Sequence, residues 1–320
     1  LYGVGLTLGA GIYVLIGESA GFAGNSMWIS FVLGAIVAIF AGLSYAELSA
    51  LFPKAAAEYV FVKNAFKSEF IGFQVGWLTA ITSMIVGATV ALGFGGYFSQ
   101  FVDLPIVISA ILLLVVLSMV SFIGIKQSAW ANTIFALVTI AGLGIIIFLG
   151  ITIDVEEPID YFDAPHGMTG IILAFVLIFF AFIGFEDMAN VAEEVKKPKK
   201  TLPRAIILSI IITGVIYILV SLSAVRILNW EELSQSAAPL ADIATRGLGS
   251  KGGITMSIIA LFATASTVLI TLVAGARILY GMAKSNSLPS IFAKIHPKTG
   301  TPWIAVIGIL VTSVAFTLIG

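Results

Sequence analysis

Apolar segments of about 20 residues recur along the whole chain, and they constrain the fold more than any other feature of the sequence. Hydrophobic residues make up 59% of the 320 positions and charged residues only 10%, whereas a soluble domain carries about 25% charged residues. A soluble fold of this composition could not cover its surface with polar groups. A helix of about 20 apolar residues crosses the hydrocarbon core of a bilayer. The sequence therefore predicts an all-α, polytopic membrane protein.

Nine apolar segments are long enough to be membrane spans, and Gly, Pro, Asn or Asp residues separate them. The predicted spans are residues 1–22, 27–52, 70–98, 104–123, 130–151, 168–192, 204–227, 252–283 and 303–320. The polar segment 228–250 is predicted to lie outside the membrane, with a short interfacial helix around Trp230 to Gln235. We expect the chain to be a fragment whose first helix is trimmed at Leu1.

The loops between the spans differ in charge from one side of the membrane to the other. With nine spans, one side receives all of the 16 basic residues except Arg226, Arg246 and Lys251. The opposite side also receives a run of acidic residues with no basic residue among them: Asp154, Glu156, Glu157, Asp160 and Asp163. Because cytoplasmic loops carry an excess of Lys and Arg, this pattern predicts that the first span runs from the inside to the outside.

The composition also excludes several classes of function. The net charge of −1 gives no bulk attraction to nucleic acid. Without cysteine, the chain has no thiol nucleophile, no cysteine metal site and no disulfide framework. Both histidines, His166 and His296, fall beside prolines in loops, where we interpret them as turn residues. A membrane enzyme would need clustered His, Asp or Glu residues, so we predict that the protein is not an enzyme.

Glycines interrupt the first and the sixth span. In the first, Gly9-Ala10-Gly11 is the best break point, and in the sixth Gly184 is followed by Glu186 and Asp187. An interrupted helix is costly in hydrocarbon unless it lines a polar cavity. Paired interruptions in two inverted halves point to a transporter binding site. Two simpler interpretations stay open, namely glycines that only allow close helix packing and a sixth helix that ends at Gly184.

Four motifs occur in order along the chain. They are GAGIY at 9–13, LSYAEL at 43–48, FIGFE at 182–186 with EEVKKP at 193–198, and ARILYGMA at 276–283. With these motifs, the chain resembles permeases of the amino acid–polyamine–organocation (APC) superfamily over its whole length. One departure is Ala56-Ala57, where many members have two glycines.

The resemblance implies a five-plus-five inverted-repeat bundle of the LeuT type, with broken helices 1 and 6. Residues 1–151 would form the first repeat, 152–167 an extracellular loop and 168–320 the incomplete second repeat of a single transport domain. Members usually have about twelve helices, so we expect this chain to stop after about nine spans. The resemblance further implies a permease in the cell membrane that works by alternating access.

The resemblance places the substrate at the unwound centres of the two broken helices. In the first, the backbone around Gly9, Ala10, Gly11 and Ile12 is expected to hold a substrate carboxylate, because free N–H groups at a helix start are positive. In the sixth, backbone groups are expected to face the substrate amine, and Phe180 to act as a pocket or gate aromatic. The predicted residues of the sixth span are Phe180, Ala181, Phe182, Ile183, Gly184 and Glu186.

Hydroxyl groups in the eighth span suggest a site for a coupling cation. Thr264, Thr267 and Thr271 lie on one helix face with Ser266 beside them. Hydroxyl oxygens suit a hard cation such as sodium, although Ser and Thr in membranes also bond the carbonyls of their own helix. With the resemblance, Ser266 and Thr267 become the candidate cation-coupling residues. Some proton-coupled members instead carry a lysine in helix 5, and the fifth span here has none.

The sequence leaves the substrate and the coupling open. Cationic amino acids, neutral amino acids and polyamines are all carried by members of the superfamily. The expected partners are such a substrate and the lipid bilayer, with Na⁺ or H⁺ as coupling ion, exchange as a third mode and no other cofactor. The alternative function is a transporter-like membrane sensor or a channel for another small solute, although the chain shows no repeated selectivity filter.

Overall fold

The computed structural model describes residues 2–153 and 158–319, which are helical apart from turns and short connections. Three of the acidic residues that were predicted to lie on the outer side, Asp154, Glu156 and Glu157, are outside the described residues. The helices are α1 (Tyr2–Thr7), α2 (Ala10–Ala23), α3 (Met27–Leu51), α4 (Ala57–Phe66), α5 (Glu69–Phe98), α6 (Ile106–Ile123), α7 (Ile125–Thr152), α8 (Gly167–Phe182), α9 (Asp187–Asn190), α10 (Pro198–Ile227), α11 (Trp230–Gln235), α12 (Pro239–Leu248), α13 (Ser250–Lys284) and α14 (Trp303–Ile319).

Each of the nine predicted spans contains a helix. Within the described residues, seven helical stretches are long and apolar enough to cross a membrane. One of them, Ala10–Leu51, contains both α2 and α3, joined by the 3₁₀ turn Gly24–Ser26. α14 is a shorter apolar helix. The prediction of an all-α, polytopic fold is therefore confirmed, while the inverted relation between residues 1–151 and 168–320 stays a prediction.

Two helices begin earlier than the sequence pattern predicts. α7 begins at Ile125, directly after Gly124, whereas the prediction was residue 130. Gly124 has φ 147°, a conformation that lets the chain turn from α6 into α7 within one residue. α10 begins at Pro198 rather than 204, because proline is favoured in the first turn of a helix. The basic residues before 204 are therefore helical and continuous with a membrane helix.

The predicted interfacial helix is present as α11 (Trp230–Gln235). The Asn229 side chain caps it by accepting a 2.7 Å hydrogen bond from the Glu232 N–H. A second short helix, α12, follows it and is amphipathic; the sequence pattern did not predict it. α11 packs against α2 and α12 against α13. These two helices cover one end of the bundle.

α13 is the central helix of the bundle. It is buried along most of its length and contacts α5, α7 and α14, among other helices. Its side chains belong to both large apolar clusters of the core, for example Ile259 in one and Leu272 in the other. The hydroxyl groups of Ser266 and Thr267 therefore lie inside the bundle, where they reach the two halves of the first broken helix.

Candidate substrate site

The first membrane helix is interrupted at Leu8 and Gly9, between α1 and α2. Gly9 has an extended backbone (φ −115°, ψ −152°), while Ala10 and Gly11 already belong to the first turn of α2. The break thus lies at the beginning of the predicted Gly9-Ala10-Gly11 segment. A Cβ atom at Gly9 would overlap Oγ1 of Thr267. Glycine is therefore required here for the close approach of α13.

The sixth membrane helix is interrupted between α8 and α9, over residues 183–186. Gly184 has φ 124°, which favours glycine, and a Cβ there would overlap the carbonyl oxygen of Leu6. The inner part of this helix is short, since α9 has four residues and a 3₁₀ turn, Ala192–Glu194, follows it. Met188 and Asn190 are nevertheless buried in the protein. The two breaks are therefore in direct contact.

Tyr217 of α10 connects the two breaks. Its hydroxyl hydrogen is shared between the carbonyl oxygens of Thr7 (3.1 Å) and Ala181 (3.2 Å), which lie at or near the ends of α1 and α8. The side chain is fully buried, and its ring packs edge-on against Phe31 and Phe182. Carbonyls at helix ends lack intrahelical donors, and in hydrocarbon they need another partner. Tyr217 was not predicted from the sequence. The only available indication was that a tyrosine needs a hydrogen-bond partner when it is buried.

The start of α2 presents backbone N–H groups at the break. The Ala10 N–H donates to Thr267 Oγ1 at 2.9 Å, and the N-cap residue Gly9 has no side chain to offer. The first N–H groups of a helix have no intrahelical acceptor. Those of Gly11 and Ile12 follow Ala10 in this first turn. They are the donors that an anion could use at the positive end of α2.

A cavity of about 60 Å³ lies between the two breaks, α5 and α13. It continues into an apolar cavity of about 530 Å³ that extends along α2 and α5. Both cavities share Ala10, Gly11 and Phe180. The smaller one is lined by Leu6, Thr7, Gly9, Ala10, Gly11, Val86, Val90, Phe180, Ala181, Ile183, Gly184, Asp187, Thr267, Ile270 and Thr271. Both interrupted segments therefore line one cavity, which adjoins the larger one along α2 and α5.

Three of the residues predicted for the substrate site do not line this cavity. Ile12 and Phe182 are fully buried in the core. Glu186 folds back on the break, where its carboxylate accepts a 2.9 Å hydrogen bond from the Gly184 N–H. The neighbouring Asp187 lines the cavity instead. The remaining predicted residues of both broken helices do line the cavity: Gly9, Ala10, Gly11, Phe180, Ala181, Ile183 and Gly184.

The hydroxyls of Ser266 and Thr267 both hydrogen-bond to other groups of the protein. Ser266 Oγ lies 2.7 Å from Asn132 Oδ1 and 3.3 Å from the Gly5 carbonyl oxygen, both of which are acceptors. Asn132 of α7 in turn donates to the Tyr2 carbonyl at 3.4 Å. The two hydroxyls thus hold opposite halves of the first helix, Ser266 the α1 half and Thr267 the α2 half, which the charge pattern predicts to be the inner and the outer half. Asn132, a polar residue in an apolar helix, was also missed in the sequence analysis.

A second polar network lies beyond the inner end of the cavity. Glu58 of α4 is buried and accepts hydrogen bonds from Asn190 Nδ2 (3.2 Å) and the Tyr45 hydroxyl (3.4 Å). Burial raises the pKa of Glu58, and these two hydrogen bonds oppose that rise. The Asn190 amide oxygen also accepts from the Ala57 N–H at 2.9 Å. α9 is thereby attached to α4.

Ion pairs close the same end of the bundle. Arg277 of α13, which is 8% exposed, pairs with Glu194 at 2.7 Å, and Lys284 pairs with Glu193 at 3.2 Å. Both acidic residues follow α9, so the pairs connect the sixth helix to the inner end of α13. Among the described residues, no group of three His, Asp or Glu side chains is placed to hold a metal ion.

The amino acid permease family model matches residues 2–320. The chain belongs to the amino acid permease family. It is 29% identical to the branched-chain amino acid permease BcaP of Bacillus subtilis, over 95% of this chain and 70% of the relative. Cationic amino acid transporter 4 of Mus musculus is 31% identical over 100% of this chain and 53% of its own length. The methylthioribose transporter of Bacillus subtilis is 29% identical over 95% of this chain and 69% of its length.

These matches confirm the predicted family and class. The chain spans between about half and about seven-tenths of the length of these relatives. The family and the relatives are transporters and not enzymes. Together with the apolar helices, they confirm a multi-pass integral membrane protein. These relatives are named for branched-chain amino acids, cationic amino acids and methylthioribose, so family membership leaves the substrate of this protein open.

Proposed function

We propose that the protein is a secondary active transporter in the cell membrane that moves an amino acid by alternating access, with the substrate bound between the two helix breaks. The observation that supports this most directly is the cavity that both breaks line. Backbone donors and backbone acceptors meet there in a bundle whose other groups are mostly apolar. A zwitterion is the kind of solute that such a pair of helix ends can recognise.

The carboxylate of the substrate is expected at the start of α2. The N–H group of Gly11, which lines the cavity, is the donor there, and the hydrogen bond from Ala10 to Thr267 holds this turn in position. The positive end of a helix stabilises an anion by roughly 0.3–1 kcal/mol at exposed sites and by more where water is excluded. Gly11 lets this turn lie directly against α8, because a Cβ there would overlap the Cα atom of Ala181.

The amine of the substrate is expected on the opposite side of the cavity. The negative ends of α1 and α8 lie there, and Asp187 is the one acidic side chain in the lining. A charged amine in a membrane protein needs such partners, because an unpaired ion is costly in a medium of low dielectric constant. A single carboxylate together with helix-end carbonyls matches a single ammonium group.

The rest of the lining favours an apolar side chain on the substrate. Val86 and Val90 of α5 line the cavity together with Phe180 and Ile270. A cationic amino acid or a polyamine would bring a second charge among these groups without a partner. The relative BcaP, named for branched-chain amino acids, is consistent with this preference. We therefore propose a neutral amino acid with an aliphatic side chain.

Alternating access requires that the inner end opens while the outer end closes. In the present structure the ion pairs Arg277–Glu194 and Lys284–Glu193 hold the inner end together. They are expected to separate when the substrate is released inside. The coupling of transport to an ion gradient is also a proposal. A sodium ion would use the oxygens of Ser266 and Thr267, a proton would use Glu186, and an exchanger would need neither.

Uptake by the full-length protein in proteoliposomes tests this function. The panel would contain aliphatic, aromatic and cationic amino acids, a polyamine and methylthioribose, each with a proton gradient, a sodium gradient or neither, and with internal substrate to detect exchange. Saturable uptake of an aliphatic amino acid is the expected result. Uptake only of a solute without an α-amino and α-carboxyl group would contradict the assigned site. Binding without transport would favour a sensor, and unsaturable flux would favour a channel.

A further inference from the structure

A cavity of about 610 Å³ lies at the junction of α1 and the first four turns of α10, away from the substrate site. Its polar part is formed by Lys197, Lys200 and Arg204, and its apolar part by Leu208 and Ile212. Val4 of the inner half of the broken first helix forms the facing wall. Nothing in the proposed transport cycle uses this cavity, so its chemistry calls for a separate explanation.

The three cations point to an anionic occupant. Within the described part of the chain, ion pairs are found for Lys63, Arg246, Arg277 and Lys284, but no acidic side chain lies within 4.0 Å of the cations of this cavity. Lys197 to Arg204 cover only about 10 Å along the helix, so their charges repel one another. The positive end of α10 adds to the same potential. A bound anion would relieve this repulsion.

The apolar part indicates that the occupant also has a hydrocarbon portion. Residues 197, 200, 204, 208 and 212 follow one face of α10 at steps of three or four residues. The three cations lie at the N-terminal end of this helix face, before the apolar segment of α10 begins. Leu208 is 56% exposed and Ile212 42% exposed, with no other part of the described protein covering them fully. A free inorganic anion would leave this half of the cavity without a contact.

We propose that this cavity binds an anionic phospholipid, with its phosphate-bearing headgroup among Lys197, Lys200 and Arg204 and an acyl chain along Leu208 and Ile212. Lysine and arginine at a membrane surface attract anionic lipid headgroups. Arginine can in addition hold two phosphate oxygens at once. No acidic side chain lines the cavity to hold a choline or ethanolamine group, so a zwitterionic lipid gains less from it.

The position of the site links lipid composition to the first broken helix. Gly3 and Val4 line the cavity from α1, and the same half-helix is held from its other side by Ser266 and Asn132. A lipid in the cavity would contact α1 directly. Occupancy would therefore favour the position that α1 has in this structure, in which the inner end of the bundle is closed.

Lipid binding to the purified full-length protein in detergent tests the proposal. Native mass spectrometry would measure binding of phosphatidylglycerol and of phosphatidylcholine with the same acyl chains. The test variant is Lys197→Gln/Lys200→Gln/Arg204→Gln. The matched control is Lys126→Gln/Lys294→Gln/Lys298→Gln, which removes the same charge from exposed basic residues on the same predicted side, outside the cavity. Thermal unfolding of each variant checks the fold, and Arg204→Gln alone serves if the triple variant is unstable.

Phosphatidylglycerol is expected to bind the wild type more tightly than phosphatidylcholine. Each cation near a membrane surface changes affinity for anionic lipid by about fivefold, so the test variant is expected to lose on the order of a hundredfold and Arg204→Gln about fivefold. The control is expected to retain wild-type binding. Equal binding of the two lipids, or an equal loss in the control, would overturn the proposal in favour of diffuse surface attraction. Complete displacement by millimolar inorganic phosphate would overturn it in favour of a free anion.

Discussion

The two helix breaks satisfy their backbone polar groups in different ways. At the first break, the partners come from distant helices, with Thr267 accepting from Ala10 and Tyr217 donating to Thr7. At the sixth break, the Glu186 carboxylate accepts from Gly184, two residues away, although Tyr217 also reaches Ala181. The first break is therefore maintained mainly by tertiary contacts. The sixth depends mainly on its own glycine and carboxylate.

This difference has a consequence for how each break can move. A break held by side chains of other helices changes when those helices shift, so α1 and α2 can respond to α10 and α13. A break held by a residue of its own segment keeps its local shape while the segment moves as a unit. We expect substitutions at the sixth break to damage the site itself, and substitutions around the first break to change how the bundle moves.

The largest effect is expected for Gly184→Ala. The residue has φ 124°, and a Cβ would overlap the Leu6 carbonyl oxygen, so the two breaks could not stay in contact. Uptake is expected to fall more than about a hundredfold, since strain at such a residue costs on the order of 1–3 kcal/mol and the overlap adds to it. Gly144→Ala in α7 is the control, because a Cβ there meets nothing within 4 Å. Full activity of the Gly184→Ala variant would show that the break in the sixth helix is not part of the substrate site.

Glu186→Ala and Glu186→Gln separate two roles of the same side chain. Alanine leaves the Gly184 N–H without its acceptor, which costs about 1–3 kcal/mol for a buried group, so uptake is expected to fall about tenfold or more. Glutamine keeps an acceptor oxygen but cannot carry a proton. If Glu186 only supports the break, glutamine restores uptake. If Glu186 carries the coupling proton, the glutamine variant loses gradient-driven uptake but keeps substrate exchange in the absence of a gradient. The ratio of the gradient-driven uptake rate to the exchange rate distinguishes the two roles.

Tyr217→Phe tests the connection between the breaks. The ring packing against Phe31 and Phe182 is preserved, but the Thr7 and Ala181 carbonyls lose their donor. Loss of hydrogen bonds of this kind costs roughly 0.5–1.5 kcal/mol each, so the two lost contacts predict a fall in uptake of about fivefold to about a hundredfold, with the protein still folded. Tyr97→Phe is the matched control, since its hydroxyl has no hydrogen bond within the described residues. An equal effect in both variants would argue against the bridging role.

The smallest effect is expected at the start of α2. Thr267→Val removes the acceptor for the Ala10 N–H while keeping the shape of the side chain, and Thr267→Ser keeps the acceptor. Loss of one capping interaction costs about 1 kcal/mol, so the substrate KM is expected to rise about fivefold in the valine variant and to remain near the wild-type value in the serine variant. If sodium drives uptake and Thr267 binds it, valine should also weaken the sodium dependence. No change in either quantity would leave Thr267 without a role at the site.

Part of this site could be predicted from the sequence, and part could not. Gly9 and Gly184 were predicted because they interrupt two spans that would occupy matching positions in two inverted halves. Val86, Val90 and Asp187 were not predicted to line the cavity, since nothing local distinguishes a valine that faces a cavity from one that faces lipid. The residues that complete the hydrogen bonding, Tyr217 and Asn132, also lacked a signal that points to their partners.

The Ala56-Ala57 departure shows the same limit on a smaller scale. The sequence showed only that two alanines stand where many members of the superfamily have glycines. In the structure Ala56 has φ 56°, in the left-handed region, at the start of α4, and it is buried. The family's glycine therefore matches a conformation that this chain adopts with an alanine, at a cost of roughly 1–2 kcal/mol. The backbone angle was not visible until the fold was known.

The sequence by itself determined that each apolar segment contains a helix, where the two interruptions fall, and the short interfacial helix at Trp230–Gln235. These features depend on the thickness of the hydrocarbon and on backbone hydrogen bonding within a segment, which are local properties. Only the tertiary structure decided which polar groups meet. The Tyr217 hydroxyl and the Thr7 carbonyl are 210 residues apart in the chain, and their contact exists because helix packing in the bundle brings them together.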